Sequence, residues 1–218
     1  MQLDTFLMES WLEDYRLTTA GNLGESGVAN LTVGELLRLV GEDESILSDV
    51  WLADEDTRGS MRLRQAIAST YTNVSPEQVQ VVTGTSEGLF ILFNMLIEPG
   101  DGVVVPFPAF QALYQVPKDI GANIKLVELQ FEDDFQLKPE AVESALDDGV
   151  RMVVINSPQN PTGAVFDPVA LKQIVDMAFE RGATVLADEH YRFLPLDGDY
   201  ILPSLRDLDE RVVATGSM

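Results

Sequence analysis

The sequence predicts an α/β protein with a mostly parallel sheet that is covered by helices on both faces. Three observations support this fold class. From about residue 56 onward, short runs rich in valine and isoleucine alternate with stretches of helical pattern. Short runs of this composition are typical of the strands of a parallel sheet that is covered on both faces. Turns that contain glycine and proline separate them, as at residues 98–102.

Residues 1–50 are predicted to form a helical arm, and residues 51–218 the large domain that follows it. A first helix in the arm is indicated by apolar residues at helical spacing: Phe6, Leu7, Trp11 and Leu12. A second short helix is predicted at residues 31–40. The glycine-rich piece between the two, residues 20–28, is predicted to be a loop.

Helices and strands are predicted to alternate through the large domain. The strands are expected at residues 79–83, 103–105, 124–129, 152–155, 184–187 and 212–215. The helices between them include residues 62–71, 86–97 and 168–181. The last of these has the clearest boundaries, because Asp167 is a favourable N-cap, Pro168 suits the first helical position and Gly182 follows the end.

Composition and charge exclude several classes of function. The 14 basic and 36 acidic residues give a formal net charge of −22, which disfavours binding to nucleic acids and to anionic membrane surfaces. The chain has no cysteine, and its one histidine is His190, so thiolate and histidine-rich metal sites are excluded. Its longest strongly apolar stretch, residues 89–97, is far shorter than the about 20 residues that a bilayer requires. Residues 1–16 do not resemble a signal peptide, so a cytoplasmic location is expected.

Ligands of parallel sheets bind at the carboxyl ends of the strands, so the residues after each predicted strand are candidate site residues. Gly84, Thr85 and Ser86 follow the first strand and open a helix. Free backbone N–H groups, the helix dipole and two hydroxyls at such a position can hold a phosphate. A capped helix after a tight turn explains the same residues without any ligand.

Residues 156–163, Asn-Ser-Pro-Gln-Asn-Pro-Thr-Gly, follow the strand at residues 152–155. Their two prolines predict a rigid loop that gives Asn160 a defined orientation. The bond between Asn160 and Pro161 is a candidate cis peptide bond, since the cis form is tolerated before proline.

An acidic residue, Asp188, comes directly after the strand at residues 184–187. It is interpreted as a helix cap, a metal ligand or the partner of a cationic ring, and the metal interpretation is the weakest because no other ligand is near in sequence. His190 is either a general base or a packing residue. The last strand ends in another turn of small and hydroxyl-bearing residues, 215–218.

The order and spacing of these segments resemble the class I and II aminotransferases, which belong to the fold-type I pyridoxal-phosphate enzymes. The resemblance covers about residues 54–218. Residues 157–163 resemble the asparagine-proline signature of the family, 188–191 its aspartate-x-x-tyrosine and 215–218 the start of its serine-x-x-lysine box. Residues 58–64 resemble the usual beginning of its large domain.

The resemblance implies pyridoxal 5′-phosphate as the cofactor, and Asp188 and Tyr191 as catalytic residues. Asp188 is expected to pair with the ring nitrogen of the cofactor and to keep it protonated. Asn160 and Tyr191 are expected to bind the phenolic oxygen of the ring. Phe110 is expected either to stack on the ring or to pack in the core.

For the phosphate group, the resemblance implies binding by Thr85, Ser86 and Ser217. The Schiff-base lysine of the family is expected two positions beyond Met218. We therefore expect the sequence to be part of a longer chain, which also contains the C-terminal small domain. The arm at residues 1–50 is expected to belong to that small domain.

The family is usually dimeric, so a homodimer is expected. Many members have a tyrosine five residues before the position of Gly59, where it reaches the phosphate in the partner subunit. In this sequence Asp54 stands there, and its carboxylate would repel a phosphate. This contact is therefore expected to be lost or shifted.

The function implied first is transamination, in which an amino acid gives its amino group to a 2-oxo acid. Residues 22–35 and 188–195 also resemble capreomycidine-synthase-like enzymes, which implies an alternative cyclase or oxidase chemistry on an arginine-type amino acid. The acidic residues of the arm could recognise a guanidinium or form a solvated face: Glu9, Glu13, Asp14 and Glu25.

Two alternatives lie outside this chemistry. The first is a sensor module without catalytic activity, as in regulators that join an aminotransferase-like domain to a DNA-binding domain. Such a regulator needs a basic helix-turn-helix region at its N-terminus, whereas the arm of this chain is acidic. The second is a catalytically inactive fragment.

Overall fold

A five-stranded sheet forms the core of the larger of two units in the computed structural model, which describes residues 4–194 and 201–217. The strands are β1 (Gly102–Phe107), β2 (Asn123–Glu128), β3 (Val150–Asn156), β4 (Thr184–Asp188) and β5 (Val213–Thr215). Their order across the sheet is β2-β1-β3-β4-β5, and every neighbouring pair is parallel. The predicted parallel α/β fold is confirmed.

The two units are Thr5–Thr57 and, for the larger one, Met1–Asp4 with Arg58–Met218. The helices of the smaller unit are α1 (Leu7–Tyr15) and α2 (Val33–Val40). Those of the larger unit are α3 (Met61–Ala68), α4 (Thr85–Leu96), α5 (Ala112–Ile120), α6 (Pro139–Ala145), α7 (Pro168–Glu180) and α8 (Leu205–Leu208). Short 3₁₀ helices lie at Glu44–Asp49, Pro76–Gln78 and Phe131–Asp133. The predicted division into an arm of residues 1–50 and a large domain of residues 51–218 stays a prediction.

Helices cover both faces of the sheet. Val104, Val153 and Val185 belong to one buried cluster together with residues of α6 and α7. Their neighbours Val103 and Val154 are just as buried, although successive strand residues point to opposite faces. The second face is covered by α4 and α5, since α5 contacts β1 and β2 while α4 contacts β5.

The boundaries predicted for the helix at residues 168–181 are largely confirmed by α7. The Asp167 carboxylate accepts hydrogen bonds from the backbone N–H groups of Val169 and Ala170, both at 2.9 Å. Pro168 is the first helical residue, and Gly182 adopts a left-handed φ of 74° just after the end.

Among the residues described, no helix is both long enough and apolar enough to cross a membrane.

The prediction of a strand at residues 79–83 is wrong. Val79 has extended backbone, and the N–H of Val81 donates to the carbonyl of Arg58 at 2.9 Å. The segment nevertheless joins no ladder of the sheet within the described part of the chain. A run rich in β-branched residues supplies the propensity for a strand, but a strand also requires a partner alongside it.

Candidate active site

Three neighbouring strands end at the same edge of the sheet with a polar residue each. Asn156 at the end of β3 is the register partner of Asp188 in β4, and Asp188 is the register partner of Thr215 in β5. This edge is the carboxyl edge of a parallel sheet, where ligands bind in open α/β folds.

Asn156, Asp188 and Thr215 thus form a row across the ends of the three strands. Asp188 lies in the middle of this row and is only 3% exposed. The Thr215 hydroxyl donates to its Oδ1 at 3.2 Å, and the Asn156 amide Nδ2 donates to its Oδ2 at 3.3 Å. The same amide also donates to the backbone carbonyl of Asp188 at 2.9 Å. Neighbours on both sides therefore fix the orientation of the carboxyl group.

Burial raises the pKa of the Asp188 carboxyl above its ordinary value, because the surrounding protein solvates a charge poorly. The hydrogen bond from Thr215 and the nearby His190 lower the pKa, but burial prevails. No lysine or arginine of the described residues forms an ion pair with this carboxyl group. A cationic ligand placed against it would favour its ionised form.

The loop after β3 joins Asn160 to this row. The backbone N–H of Asn160 donates to Asn156 Oδ1 at 2.7 Å, so one Asn156 side chain contacts both Asp188 and the loop. Gln159 braces the loop from within, since its Oε1 accepts from the backbone N–H of Thr162 at 2.9 Å. The Asn160–Pro161 bond is cis, which confirms that expectation.

The first turn of α4 brings Thr85 to the same edge. Gly84 precedes the helix with a φ of 95°, and Thr85 is half-buried. A Cβ atom at Gly88 would lie 3.4 Å from Val82 and 3.9 Å from the Thr215 methyl group, so the helix start packs closely against the end of β5. The Thr85 hydroxyl lies 3.2 Å from His190 Nδ1, which connects it to the turn after β4.

The remaining predicted site residues are less firmly connected. Tyr191 is half-buried, and its ring meets the His190 ring edge-on at 4.7 Å between centroids. Phe110 is half-buried just before α5. Within the described residues, hydrogen bonds to the hydroxyls of Ser86 and Ser217 do not occur. The roles of these residues stay predictions.

Two expectations concern residues that the structure does not describe. The Schiff-base lysine is expected two positions beyond Met218, and the capreomycidine-synthase-like stretch 188–195 ends at Pro195. Met218 and Pro195 lie outside the described parts of the chain.

Two residues of the row, Asn156 and Thr215, were not predicted as site residues. Each is the last residue of its strand, so the sequence alone indicates only that a turn begins there. The signal that identifies them is a polar residue that ends an apolar run, repeated in neighbouring strands. In a parallel sheet such residues meet at one edge.

The turn after β4 is anchored by two buried residues with ionisable side chains, Glu189 and Arg192. The Glu189 Oε1 atom accepts from the Ser204 hydroxyl at 2.9 Å and from the backbone N–H of Leu205 at 2.6 Å. Arg192 stacks over the Tyr71 ring at 4.7 Å and donates to two backbone carbonyls at 2.7 Å each, those of Thr70 and Leu202. The backbone on both sides of His190 and Tyr191 is therefore held in place.

Replacing Glu189 by glutamine is expected to remove a pH-dependent part of the stability of the intact protein. Burial raises the pKa of the Glu189 carboxyl to about 7, from an ordinary value of 4.5. Between these values the folded state keeps a proton that the unfolded state has lost, so this contribution is present below pH 4.5 and is lost as the pH rises toward 7. The loss amounts to about 3 kcal/mol.

Urea unfolding at several pH values measures this effect. Glutamine keeps an amide oxygen as acceptor for Ser204 and Leu205, so the variant should fold, and its stability should change less than that of the wild type across this range. Equal changes in the two proteins would show that Glu189 is ionised in the folded state.

Three acidic residues of the smaller unit surround an arginine of the chain itself. Arg16 Nη1 lies 2.6 Å from Glu13, its Nε lies 3.0 Å from Glu25, and its Nη2 lies 3.6 Å from Glu9. These carboxylates can hold a guanidinium, as proposed from the sequence, but the guanidinium they hold is internal. They give no support to recognition of an arginine substrate.

Comparison with known proteins assigns the chain to a family. The family profile described as aminotransferase class I and II matches residues 52–217. Capreomycidine synthase from Streptomyces vinaceus is 32% identical over 97% of this chain and 54% of its own length. An aspartate aminotransferase from Sulfurisphaera tokodaii is 34% identical over 64% of this chain and 37% of its own length.

Among solved structures, a pyridoxal-phosphate-dependent aminotransferase from Streptococcus suis superimposes with a TM-score of 0.90 at 30% sequence identity. The match covers all of this chain and 58% of that protein. The chain thus spans about half the length of the relatives that it matches.

Proposed function

The chain belongs to the class I and II aminotransferase family, whose cofactor is pyridoxal 5′-phosphate, and on that premise we propose that the intact protein is an aminotransferase. It would move the amino group of an amino acid to a 2-oxo acid. The observation that carries this proposal is the buried carboxyl group of Asp188 at the carboxyl edge of the sheet.

The residues at this edge fit the cofactor. Asp188 ends β4 without starting a helix, and the described residues contain no cluster of side chains that could hold a metal ion. Of the three interpretations made from the sequence, the partner of a cationic ring is the one that these facts support. A protonated pyridine nitrogen placed against Asp188 would lower the pKa of its carboxyl and so offset the effect of burial, which raises it.

Bound pyridoxal phosphate supplies an electron-withdrawing ring that stabilises negative charge on the substrate carbon. Asp188 would hold the proton on the ring nitrogen, and Asn156 and Thr215 would keep the Asp188 carboxylate in the orientation that this requires. Asn160 and Tyr191 would bind the phenolic oxygen.

The phosphate would be held by the Thr85 and Ser86 hydroxyls at the start of α4, together with Ser217 after β5. Phe110 would cover one face of the ring. In the intact protein these residues would orient the cofactor. We also propose that the protein is a homodimer, as the resemblance to the family implies, and that it is cytoplasmic.

A second candidate is cyclase or oxidase chemistry on an arginine-type amino acid. It is favoured by the length of the match to capreomycidine synthase, which extends over 97% of this chain and includes the smaller unit. The match to the Sulfurisphaera aspartate aminotransferase extends over 64%. Both candidates would use the same residues around the cofactor, because the outcome depends on how the substrate is oriented.

Transfer of an isotope-labelled amino nitrogen distinguishes the two candidates. The intact protein is incubated with a labelled amino acid, either with or without a 2-oxo acid, and the products are identified by mass spectrometry. For an aminotransferase, the label appears in a new amino acid, and sustained turnover requires the 2-oxo acid. Consumption of arginine or hydroxyarginine without a 2-oxo acid, with the label retained, would replace transamination by the second candidate.

A further inference from the structure

His190 is a residue of the candidate site to which the proposed function gives no role. It is the chain's one histidine, its side chain is exposed, and it lies between Asp188 and Tyr191 in the turn after β4. Its Nδ1 atom is 3.2 Å from the Thr85 hydroxyl, and its ring meets the Tyr191 ring edge-on. One imidazole therefore contacts two predicted cofactor-binding residues that come from different parts of the chain.

The backbone that carries His190 is held on both sides. Before it, Glu189 accepts hydrogen bonds from Ser204 and Leu205. After it, Arg192 donates to two backbone carbonyls and stacks on an aromatic ring. Because Glu189 and Arg192 are buried and anchored, the backbone that carries the imidazole is held in place on both sides.

The orientation of the Thr85 hydroxyl depends on its hydrogen-bond partners. A hydroxyl has one hydrogen to donate and rotates freely unless a neighbour fixes it. Gly84 lies in the N-cap position of α4 and has no side chain to cap the helix. The Thr85 hydroxyl is therefore the first polar side-chain group at the start of this helix.

The direction of the hydrogen bond between the two residues follows from the charge of a phosphate. A phosphate oxygen only accepts hydrogen bonds at neutral pH, so Thr85 can bind it only if its own O–H remains free to donate. This requires the hydrogen on Nδ1 of His190, which then donates to Thr85 Oγ1. A hydroxyl that accepts one hydrogen bond also becomes a better donor of the next.

We propose that His190 is a positioning residue for phosphate binding, whose Nδ1–H donates to Thr85 Oγ1 and leaves the Thr85 O–H for the cofactor phosphate. This rests on the proposed function, because it takes the phosphate of pyridoxal phosphate to lie at the start of α4. It assigns to His190 a larger effect on the binding of the phosphate group than on the binding of the ring.

Pyridoxal, which lacks the phosphate, separates these two effects. The affinities of the intact protein, freed of cofactor, for pyridoxal phosphate and for pyridoxal are measured by absorbance titration. His190→Ala is expected to weaken the binding of pyridoxal phosphate about tenfold, the effect of one hydrogen bond, and to weaken the binding of pyridoxal much less. Retained pyridoxal binding also shows that the variant is folded.

Two further variants test the route through Thr85. His190→Asn should retain most of the affinity for pyridoxal phosphate, because the asparagine amide can donate from nearly the position of Nδ1. Thr85→Val should weaken that affinity, and adding His190→Ala to it should cause no further loss, since the two residues act through one hydrogen bond.

Additive losses in the double variant, or equal losses for pyridoxal and pyridoxal phosphate in His190→Ala, would overturn the inference. Either result would leave the proposed function intact. Failure of the wild-type protein to bind either compound would instead contradict the proposed function itself.

Discussion

Replacing Asp188 by alanine is expected to weaken the binding of pyridoxal 5′-phosphate to the intact protein about a hundredfold or more, and to reduce turnover by at least as much. The variant loses the carboxylate that would keep the ring nitrogen protonated, and it leaves that cation without a partner in a buried position. Asn156 and Thr215 also lose their hydrogen-bond acceptor, which adds to the loss.

Absorbance titration and steady-state kinetics measure both effects, and two variants serve as controls. Asp188→Asn keeps the size of the side chain but lacks the charge, so it should bind the cofactor better than the alanine variant and still turn over slowly. Glu189→Gln changes the adjacent carboxyl group, which is equally buried but bonded to Ser204 and Leu205, and should leave cofactor affinity within about twofold of wild type. Full activity of Asp188→Ala would remove the role assigned to this residue.

Replacing Gly59 by alanine is expected to lower the free energy of unfolding of the intact protein by about 3–5 kcal/mol. Gly59 has a φ of 96°, and a Cβ atom there would lie 2.5 Å from Val81 Cγ2 and 2.7 Å from Val81 Cβ. Rotation of the valine cannot relieve the second contact. The backbone cannot easily move either, because Arg64 donates to the Gly59 carbonyl at 2.9 Å and Val81 donates to that of Arg58.

Gly100→Ala is the matched control for this prediction. Gly100 has nearly the same φ, 97°, but a Cβ atom there would meet no other atom within 4 Å. Its replacement should cost only the unfavourable backbone conformation, about 1–2 kcal/mol. Chemical denaturation of both variants gives the difference. If they are destabilised equally, the close approach of Gly59 to Val81 contributes nothing to stability.

Much of the fold could be predicted because its signals are local. Apolar runs predicted all five strands of the sheet, and the capping residues around α7 predicted its start and its end to within one residue. The apolar run at residues 79–83 gave the same signal without forming a strand. Pairing depends on what lies alongside a segment, which its own residues do not encode.

The candidate site could be predicted only in part, for a related reason. Asp188 and Asn160 were identified because they lie in segments of recognisable spacing. Asn156 and Thr215 were missed as site residues because their importance comes from the strand register, which places both beside Asp188. The pairing of Arg16 with three glutamates was missed as well, although Glu9, Glu13 and Arg16 already have the spacing of one helix face.

The central claim is that Asp188 keeps the ring nitrogen of pyridoxal phosphate protonated at the carboxyl edge of the sheet. Nuclear magnetic resonance of the intact protein, loaded with cofactor that is isotope-labelled at the ring nitrogen, tests it most directly. The chemical shift of that nitrogen should be that of a protonated pyridine in the wild type at neutral pH, and that of an unprotonated pyridine in Asp188→Asn. An unprotonated nitrogen in the wild type, or the same chemical shift in both proteins, would contradict the claim.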